Sequence, residues 1–173
     1  MSILIQDLLV YARVGVEKET AISISLDQDV ESAISQLAHA IEESGAAVTH
    51  DPLPTVTAER SQISRLFQNL IGNAIKYRSH DRPPKIHVSA RPNGKDWIIS
   101  VEDNGVGFAQ EYAEVIFSPF KRLHGQGYSG SGVGLAISRR IVERYGGRIW
   151  AESMVDRGST FYFTLPQDGG DEH

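Results

Sequence analysis

The feature that most constrains the fold is the pattern of apolar residues between Glu59 and Tyr77. Apolar side chains recur there at spacings of three and four residues, which is the period of one face of an α-helix. A helix with such a stripe has to bury it against a second layer. The sequence therefore predicts a long helix in a layered domain, with a buried stripe formed by Ile63, Leu66, Phe67, Leu70, Ile71, Ala74 and Ile75.

Shorter strand and helix patterns precede this helix. Alternation over residues 21–26 predicts a strand, and Asp27 or Asp29 can cap a helix that runs to about Ser44 and stops at Gly45. Two short strands are predicted between that helix and the long one.

Two predicted hairpins lie after the long helix. The first surrounds the Asn-Gly pair at residues 93–94, and the second closes the domain near residue 165. A short helical segment from Gln110 to Val115 and a last helix from Gly134 to Tyr145 lie between them. Because strands and helices do not alternate regularly, the sequence predicts an α+β, two-layer sandwich. Its sheet is mixed and mostly antiparallel, with the helices on one face.

Composition excludes several classes of function. The chain has 173 residues, a net charge of −5 and no cysteine. Disulfides, iron–sulfur clusters and thiolate catalysis are therefore excluded, and a cytoplasmic location is compatible with the composition. No basic run suggests nucleic acid or an anionic membrane as a partner.

The first residues form a separate pattern. Apolar residues recur at helical spacing from Met1 to Ala12, which is too short to span a bilayer. Either this helix docks on its own domain, or it is the truncated end of a longer dimerising helix, which is the interpretation we favour. We expect residues 1–19 to be that helix end and a linker, residues 20–167 to be the main domain and residues 168–173 to be a polar tail.

Two glycine-containing segments could hold a flat, phosphorylated ligand. Residues 103–108 read Asp-Asn-Gly-Val-Gly-Phe, in which close glycines would let the backbone approach a ligand that faces the carboxylate. Residues 130–135 read Gly-Ser-Gly-Val-Gly-Leu and open a helix, whose amides suit a phosphate. Each segment alone is weak evidence, since the first is also a common turn and the second is neither a P-loop nor a dinucleotide fingerprint.

Two further segments add polar and aromatic groups. Asn69, Asn73, Lys76 and Tyr77 share one face of the long helix, where amide oxygens could face a metal and the amine could face phosphates. A solvated polar face is the alternative. Residues 117–122 read Phe-Ser-Pro-Phe-Lys-Arg and supply two aromatic residues followed by two cations.

In this order, the four segments resemble the four boxes of the histidine-kinase catalytic domain. That domain belongs to the GHKL superfamily, which gyrase, heat-shock chaperone and mismatch-repair ATPases share. The resemblance covers residues 20–166 and implies the Bergerat-type ATP-binding fold. Residues 66–77 and 120–124 most resemble phytochrome-like and related photosensory kinases.

The resemblance implies a role for each segment. Asp103 would accept a hydrogen bond from the adenine amino group, with Gly105 in the same loop. Gly107 would line the base pocket, and Thr160 would help to hold the base through water. Asn73 would coordinate Mg²⁺, with Asn69 beside it, and residues 121–131 would form a lid over ATP. Catalysis would fall to Asn73, Lys76 and Arg122. The residues implied to contact the rest of the nucleotide are Asn69, Asn73, Lys76, Tyr77, Lys121, Arg122, Gly130, Gly132, Val133, Gly134 and Leu135.

One position separates transfer from hydrolysis. Hydrolysing members of the superfamily carry a glutamate one turn before the metal-binding asparagine, and here that position is Asn69, which cannot act as a general base. None of the six histidines lies in the acceptor motif of histidine kinases. The resemblance therefore implies phosphoryl transfer to a histidine on dimerisation helices of the same kinase, with a response regulator as indirect partner. The alternatives are an ATPase clamp, a serine kinase of the anti-sigma type and a domain that only docks a partner.

Overall fold

The computed structural model describes Ile5, Leu8, Leu9 and Ala12, residues 20–119 and residues 133–167. Within this part, the chain forms seven strands and four α-helices. The strands are β1 (Ile22–Ser25), β2 (Ala47–His50), β3 (Thr55–Ala58), β4 (Lys85–Asn93), β5 (Asp96–Asp103), β6 (Ile149–Met154) and β7 (Gly158–Pro166). The helices are α1 (Leu26–Gln36), α2 (Ala38–Ser44), α3 (Arg60–Lys76) and α4 (Gly134–Arg144).

The main sheet contains five strands in the order β2-β4-β5-β7-β6. Strand β2 runs parallel to β4, and every other neighbouring pair is antiparallel. Strands β1 and β3 pair separately as an antiparallel ribbon. The predicted α+β class and the mixed, mostly antiparallel sheet are therefore confirmed.

The helices cover one face of the sheet. All seven apolar residues predicted for the stripe of α3 are buried. The ring of Phe67 on α3 meets the ring of Phe163 on β7 edge to face, with 5.8 Å between centroids. Side chains on the other face of the sheet, such as Glu102 and Glu152, are exposed, as the two-residue period of a strand requires. The long helix is thus the centre of the helical layer.

The first predicted helix differs from the structure in its start and its continuity. Its N-cap is Ser25, whose hydroxyl accepts a hydrogen bond from the Gln28 N–H, so neither Asp27 nor Asp29 caps it. The Asp27 carboxylate instead accepts a hydrogen bond from the Leu53 N–H. The helical run also breaks at Leu37, which leaves two helices in place of one.

The end of α2 and the segment after β5 were also predicted from the sequence. Gly45 ends α2 in the left-handed conformation, as predicted. The segment from Gln110 to Val115 forms two short 3-10 turns, Gln110–Tyr112 and Val115–Phe117, and no α-helix.

The N-terminal positions that are described are helical, and Ile5, Leu8 and Leu9 are exposed. Among the described residues no helix is both long and apolar enough to cross a membrane.

Candidate functional site

The polar face of α3 carries the predicted asparagine pair. The Asn69 side chain donates from Nδ2 to the Gly134 carbonyl, at 3.2 Å, and to the Ser138 hydroxyl, at 3.4 Å. This contact joins the middle of α3 to the first turn of α4. Asn73, one turn further along α3, is half-buried, and its side-chain amide makes no hydrogen bond with the described part of the chain. Asn69 is therefore engaged in the structure, whereas the Asn73 amide is available to a ligand.

Lys76 and Tyr77 lie at the end of the same helix. The Lys76 ammonium lies 5.0 Å from the centre of the Tyr77 ring. The Tyr77 carbonyl accepts a hydrogen bond from the Val106 N–H at 3.0 Å. The end of α3 is thus fastened to the loop that follows Asp103, so the structure brings these two predicted segments together.

Asp103 ends β5 with its carboxylate turned toward the helical layer. Its Oδ1 accepts hydrogen bonds from the Gly105 N–H, at 2.8 Å, and from the Ser159 N–H, at 3.3 Å. No described residue donates a hydrogen bond to the second oxygen, Oδ2. The carboxylate is therefore held through one oxygen while the other can accept from a ligand.

The pKa of Asp103 is raised from 3.8 to about 6. Burial of the carboxylate is the main cause, and the charge of Glu102 adds to it. The hydrogen bonds from Gly105 and Ser159 oppose this rise, because they favour the charged form. An acidic group with so perturbed a pKa, at the end of a strand where a loop begins, is typical of a functional site.

Two glycines let the loop after Asp103 pack against its neighbours. A Cβ atom on Gly105 would lie 2.5 Å from the Tyr77 carbonyl oxygen. Gly107 has φ +65, and a Cβ atom there would lie 2.1 Å from the Met154 carbonyl oxygen. Both positions exclude a side chain, because the main chain of another segment occupies its place. The Asp-x-Gly-x-Gly spacing is thus explained by close backbone approach.

Thr160 does not lie with Asp103. In the pairing of β5 with β7, Asp103 faces Ser159, whereas Thr160 faces Glu102. Successive side chains of a strand point to opposite faces, so Thr160 lies on the face of the sheet away from the helices. Ser159, which is 8% exposed, occupies the position that the sequence assigned to Thr160. Side chains two residues apart on a strand share a face, so Ser159 faces the same way as the buried Phe161. Counting back two residues from Phe161 would have identified Ser159.

The first turn of α4 supplies the predicted backbone amides. Val133 is its N-cap and makes no side-chain capping hydrogen bond. The first N–H groups of a helix have no partner within the helix and carry the positive end of its dipole. Among the described residues, no atom of another segment lies within 4 Å of a Cβ built on Gly134. Leu135 follows in the same turn and is half-buried.

Several predicted site residues lie outside the described residues. These are Lys121, Arg122, Gly130 and Gly132, together with the predicted lid over residues 121–131. Phe117, the first aromatic residue of that segment, is buried and meets the ring of Phe161 edge to face at 6.1 Å.

The described residues suit a cation that is held mainly by its ligand. They contain no group of three or more His, Cys, Asp or Glu side chains able to hold a metal ion. Asn69 and Asn73 offer amide oxygens, and Asn69 has its nitrogen turned to α4, which leaves its oxygen for other partners. Magnesium ions keep several water ligands and bind through few protein groups plus phosphates. The residues present therefore fit a magnesium ion that arrives with a phosphorylated ligand.

Arg82, like Ser159, is a residue near Asp103 that the sequence did not single out. It donates hydrogen bonds to three main-chain carbonyls in two different loops. Nothing in the local sequence marks it, because its partners are backbone groups brought together only by folding.

A comparison with known families matches residues 58–169 to the family described as "Histidine kinase-, DNA gyrase B-, and HSP90-like ATPase". Among curated relatives, the chain is 44% identical over 170 residues to cyanobacterial phytochrome A of Nostoc sp., covering 98% of this chain and 22% of that protein. It is 40% identical over 167 residues to phytochrome-like protein Cph1 of Synechocystis sp., covering 96% of this chain and 22% of that protein. The chain thus spans about a fifth of the length of these relatives.

Solved structures show the same fold. Full-length ShkA in complex with AMPPNP superposes with a TM-score of 0.80 at 25% identity, covering 94% of this chain and 35% of that chain. The catalytic domain of the histidine kinase ThkA superposes with a TM-score of 0.71 at 25% identity, covering 86% of this chain and 98% of that chain. The resemblance to the histidine-kinase catalytic domain, and to phytochrome-like kinases within it, is confirmed.

Proposed function

The chain belongs to the family of histidine kinase-, DNA gyrase B- and HSP90-like ATPases, and on this premise we propose that it is the ATP-binding catalytic domain of a two-component sensor histidine kinase. In this role it binds Mg-ATP and positions the γ-phosphoryl group for transfer to a histidine. That histidine lies on the dimerisation helices of the same kinase, and a response regulator receives the phosphoryl group afterwards. The domain works in the cytoplasm, where ATP is available.

The feature that carries this proposal is the Asp103 carboxylate. It is held through Oδ1 by two main-chain N–H groups, which leaves Oδ2 to accept a hydrogen bond from the amino group of adenine. Guanine carries a carbonyl oxygen at the corresponding position, which cannot donate a hydrogen bond to the carboxylate. The site should therefore bind GTP more weakly than ATP. Ser159 takes the role of assisting base recognition, because it lies beside Asp103 and Thr160 does not.

Asn73 is the residue that would hold the magnesium ion. Its side-chain amide makes no hydrogen bond with the described residues and lies one turn from Lys76, which would contact a phosphate. Asn69 would add a second amide oxygen to the metal side of the site. Bound magnesium would supply positive charge that offsets the charge of the phosphates.

The phosphate chain would lie at the start of α4. The first amides of the helix, around Val133, Gly134 and Leu135, have no partner within the helix and suit an anion there, next to the Asn69 contact. Lys121, Arg122 and Gly130 retain their proposed roles in the lid, with Arg122 stabilising the migrating phosphoryl group. Gly132 retains its proposed role beside the phosphate chain.

Transfer is favoured over hydrolysis by the chemistry of position 69. A primary amide cannot take a proton from water at neutral pH, and the Asn69 nitrogen is already engaged with α4. An imidazole needs no such base, because it is itself the nucleophile. The site therefore suits ATP as a phosphoryl donor to histidine better than it suits hydrolysis of ATP by water.

Calorimetric titration with Mg-ATP tests the binding part of the proposal. Asn73→Ala should lose the gain in affinity that magnesium provides, while affinity for metal-free ATP changes little. Gln68→Ala on the same helix is the matched control, because that side chain bonds to Gln36 and Ser64. Equal magnesium dependence in all three proteins would remove Asn73 from the metal site.

Labelling with γ-labelled ATP tests the transfer part. A chain fused to its dimerisation helices should acquire an acid-labile, alkali-stable label on a histidine, and Arg122→Ala should reduce it. Mixing the separate pieces should label more slowly, because tethering raises the effective concentration. Rapid phosphate release without any histidine label would favour an ATPase clamp, and an acid-stable label would favour a serine kinase.

A further inference from the structure

Three main-chain carbonyls converge on Arg82, which lies in the segment between α3 and β4. Its Nε donates to the Asn104 carbonyl at 2.7 Å. Its Nη2 donates to the Gly105 carbonyl at 2.9 Å and to the Asp156 carbonyl at 2.8 Å. Asn104 and Gly105 belong to the loop after Asp103, and Asp156 belongs to the turn between β6 and β7. One half-buried guanidinium thus fastens two loops.

The Asn104 carbonyl is the informative partner. The Asn104 C=O and the Gly105 N–H belong to the same peptide unit and point to opposite sides of it, because the peptide is planar and trans. Arg82 binds the oxygen side, and the Asp103 carboxylate accepts from the N–H side at 2.8 Å. A rotation of this peptide would break both hydrogen bonds together.

The other hydrogen bonds around this loop fix groups next to the Asn104–Gly105 peptide, whereas Arg82 bonds to the carbonyl of the peptide itself. The Asn104 side chain bonds to the Pro83 carbonyl and the Lys85 N–H, which fixes the loop to the segment around Arg82. The Asp156 N–H donates to the Val106 carbonyl at 2.7 Å, which pairs the loop with the β6–β7 turn. A guanidinium is planar and presents its donors in a rigid fork, so it can satisfy convergent carbonyls that a flexible amine cannot.

We infer that Arg82 is a positioning residue for base recognition: it fixes the peptide plane whose N–H orients the Asp103 carboxylate toward the adenine amino group. This inference rests on the proposed function, because it assigns a cause to the base selectivity of the same site. Arg82 acts through the backbone and through Asp103, and it does not touch the ligand. Its loss removes the shorter of the two main-chain hydrogen bonds and leaves the carboxylate held only by the longer one, from the Ser159 N–H at 3.3 Å. Adenine then meets a less firmly oriented acceptor, while contacts to the phosphates persist.

The test compares ATP and GTP binding to the full chain by calorimetry, with Arg82→Ala and Arg82→Lys. Arg82→Ala should weaken ATP binding about tenfold and leave GTP binding nearly unchanged. Arg82→Lys should recover only part of the loss, because an ammonium cannot reproduce the fork. Arg157→Ala is the matched control, since that arginine lies in the same β6–β7 turn, is exposed and has no side-chain bond to the described residues.

The pH dependence of ADP binding gives a readout that a general loss of stability would not move. Without the Gly105 donor the pKa of Asp103 rises, because that hydrogen bond favours the charged form. The pH at which ADP binding falls to half should therefore move upward by about half a pH unit in Arg82→Ala. Equal losses for ATP and GTP with an unmoved midpoint would overturn the inference.

Failure of the two proposals can be told apart. A parent chain that binds neither nucleotide would contradict the proposed function. If the parent prefers ATP and the Arg82→Ala variant keeps the same preference, only the inference is contradicted. Should the alanine variant fail to fold, Arg82→Lys and the parent chain remain informative. In the parent, the Arg82 Nε–H should exchange slowly with solvent in NMR spectra and shift when ADP binds. Rapid exchange would overturn the inference.

Discussion

Asp103→Asn should make the nucleotide-free domain more stable at neutral pH. The substitution removes the charge of a largely buried carboxylate and keeps an oxygen at Oδ1 to accept from Gly105 and Ser159. The pKa of Asp103 lies at about 6, mainly because burial disfavours the charged form, against an ordinary value of 3.8. Ionised Asp103 therefore destabilises the folded state relative to a neutral group of the same shape.

The magnitude follows from linkage between protonation and folding. A group whose pKa is higher in the folded state contributes stability that is full below its unfolded pKa and is lost as the pH rises through its folded pKa. At 1.36 kcal/mol per pH unit, the separation between 3.8 and about 6 corresponds to about 3 kcal/mol. The advantage of Asp103→Asn should be about 3 kcal/mol near pH 8 and about 0.5 kcal/mol near pH 4.

Urea unfolding of the parent and the variant across this pH range measures the effect. Other titrating groups are common to both proteins, so the difference between the two free energies of unfolding isolates Asp103. Mg-ATP binding should change in the opposite sense, because the amide offers adenine a poorer acceptor. A variant that is less stable than the parent at pH 8, or a difference that does not shrink on acidification, would refute this account of Asp103.

Three further predictions use matched pairs of substitutions. Gly107→Ala and Gly94→Ala both place a side chain at φ +65, but a carbonyl oxygen of the described residues blocks the side chain only at position 107. The free energy of unfolding should therefore fall by about 3 kcal/mol for Gly107→Ala and by about 1 kcal/mol for Gly94→Ala. Equal losses would contradict the close approach. Glu59→Ala leaves the Arg144 guanidinium buried without its partner at 2.6 Å and should cost about 3 kcal/mol. The same change at Glu143, in an exposed pair with Arg139, should cost about 0.5 kcal/mol or less in the same unfolding experiment, and similar costs would contradict the difference in burial. Ser159→Ala should weaken ADP binding about fivefold in calorimetry, whereas Thr160→Ala should leave it unchanged; the reverse order would restore the assignment to Thr160.

Periodic patterns and the order of motifs in the sequence were enough to predict the buried stripe of α3 and the family. The three- and four-residue spacing of α3 predicted its buried stripe correctly, because helix geometry alone decides which side chains share a face. The order of the Asn69 helix, the Asp103 loop and the glycine-rich start of α4 indicated the family, and the structure brings these three segments together. Both inferences depend on local geometry or on the sequence of motifs, which the chain displays directly.

Contacts between distant segments were decided only by the tertiary structure. The pairing of β5 with β7 placed Ser159 and not Thr160 beside Asp103, because strand register and not motif position determines which side chain faces inward. The raised pKa of Asp103 depends on burial of its carboxylate, which only the folded chain produces. Arg82 bonds to carbonyls 22, 23 and 74 residues away, and a backbone acceptor carries no sequence signal. Such groups become partners only when folding removes them from water and leaves them without other donors.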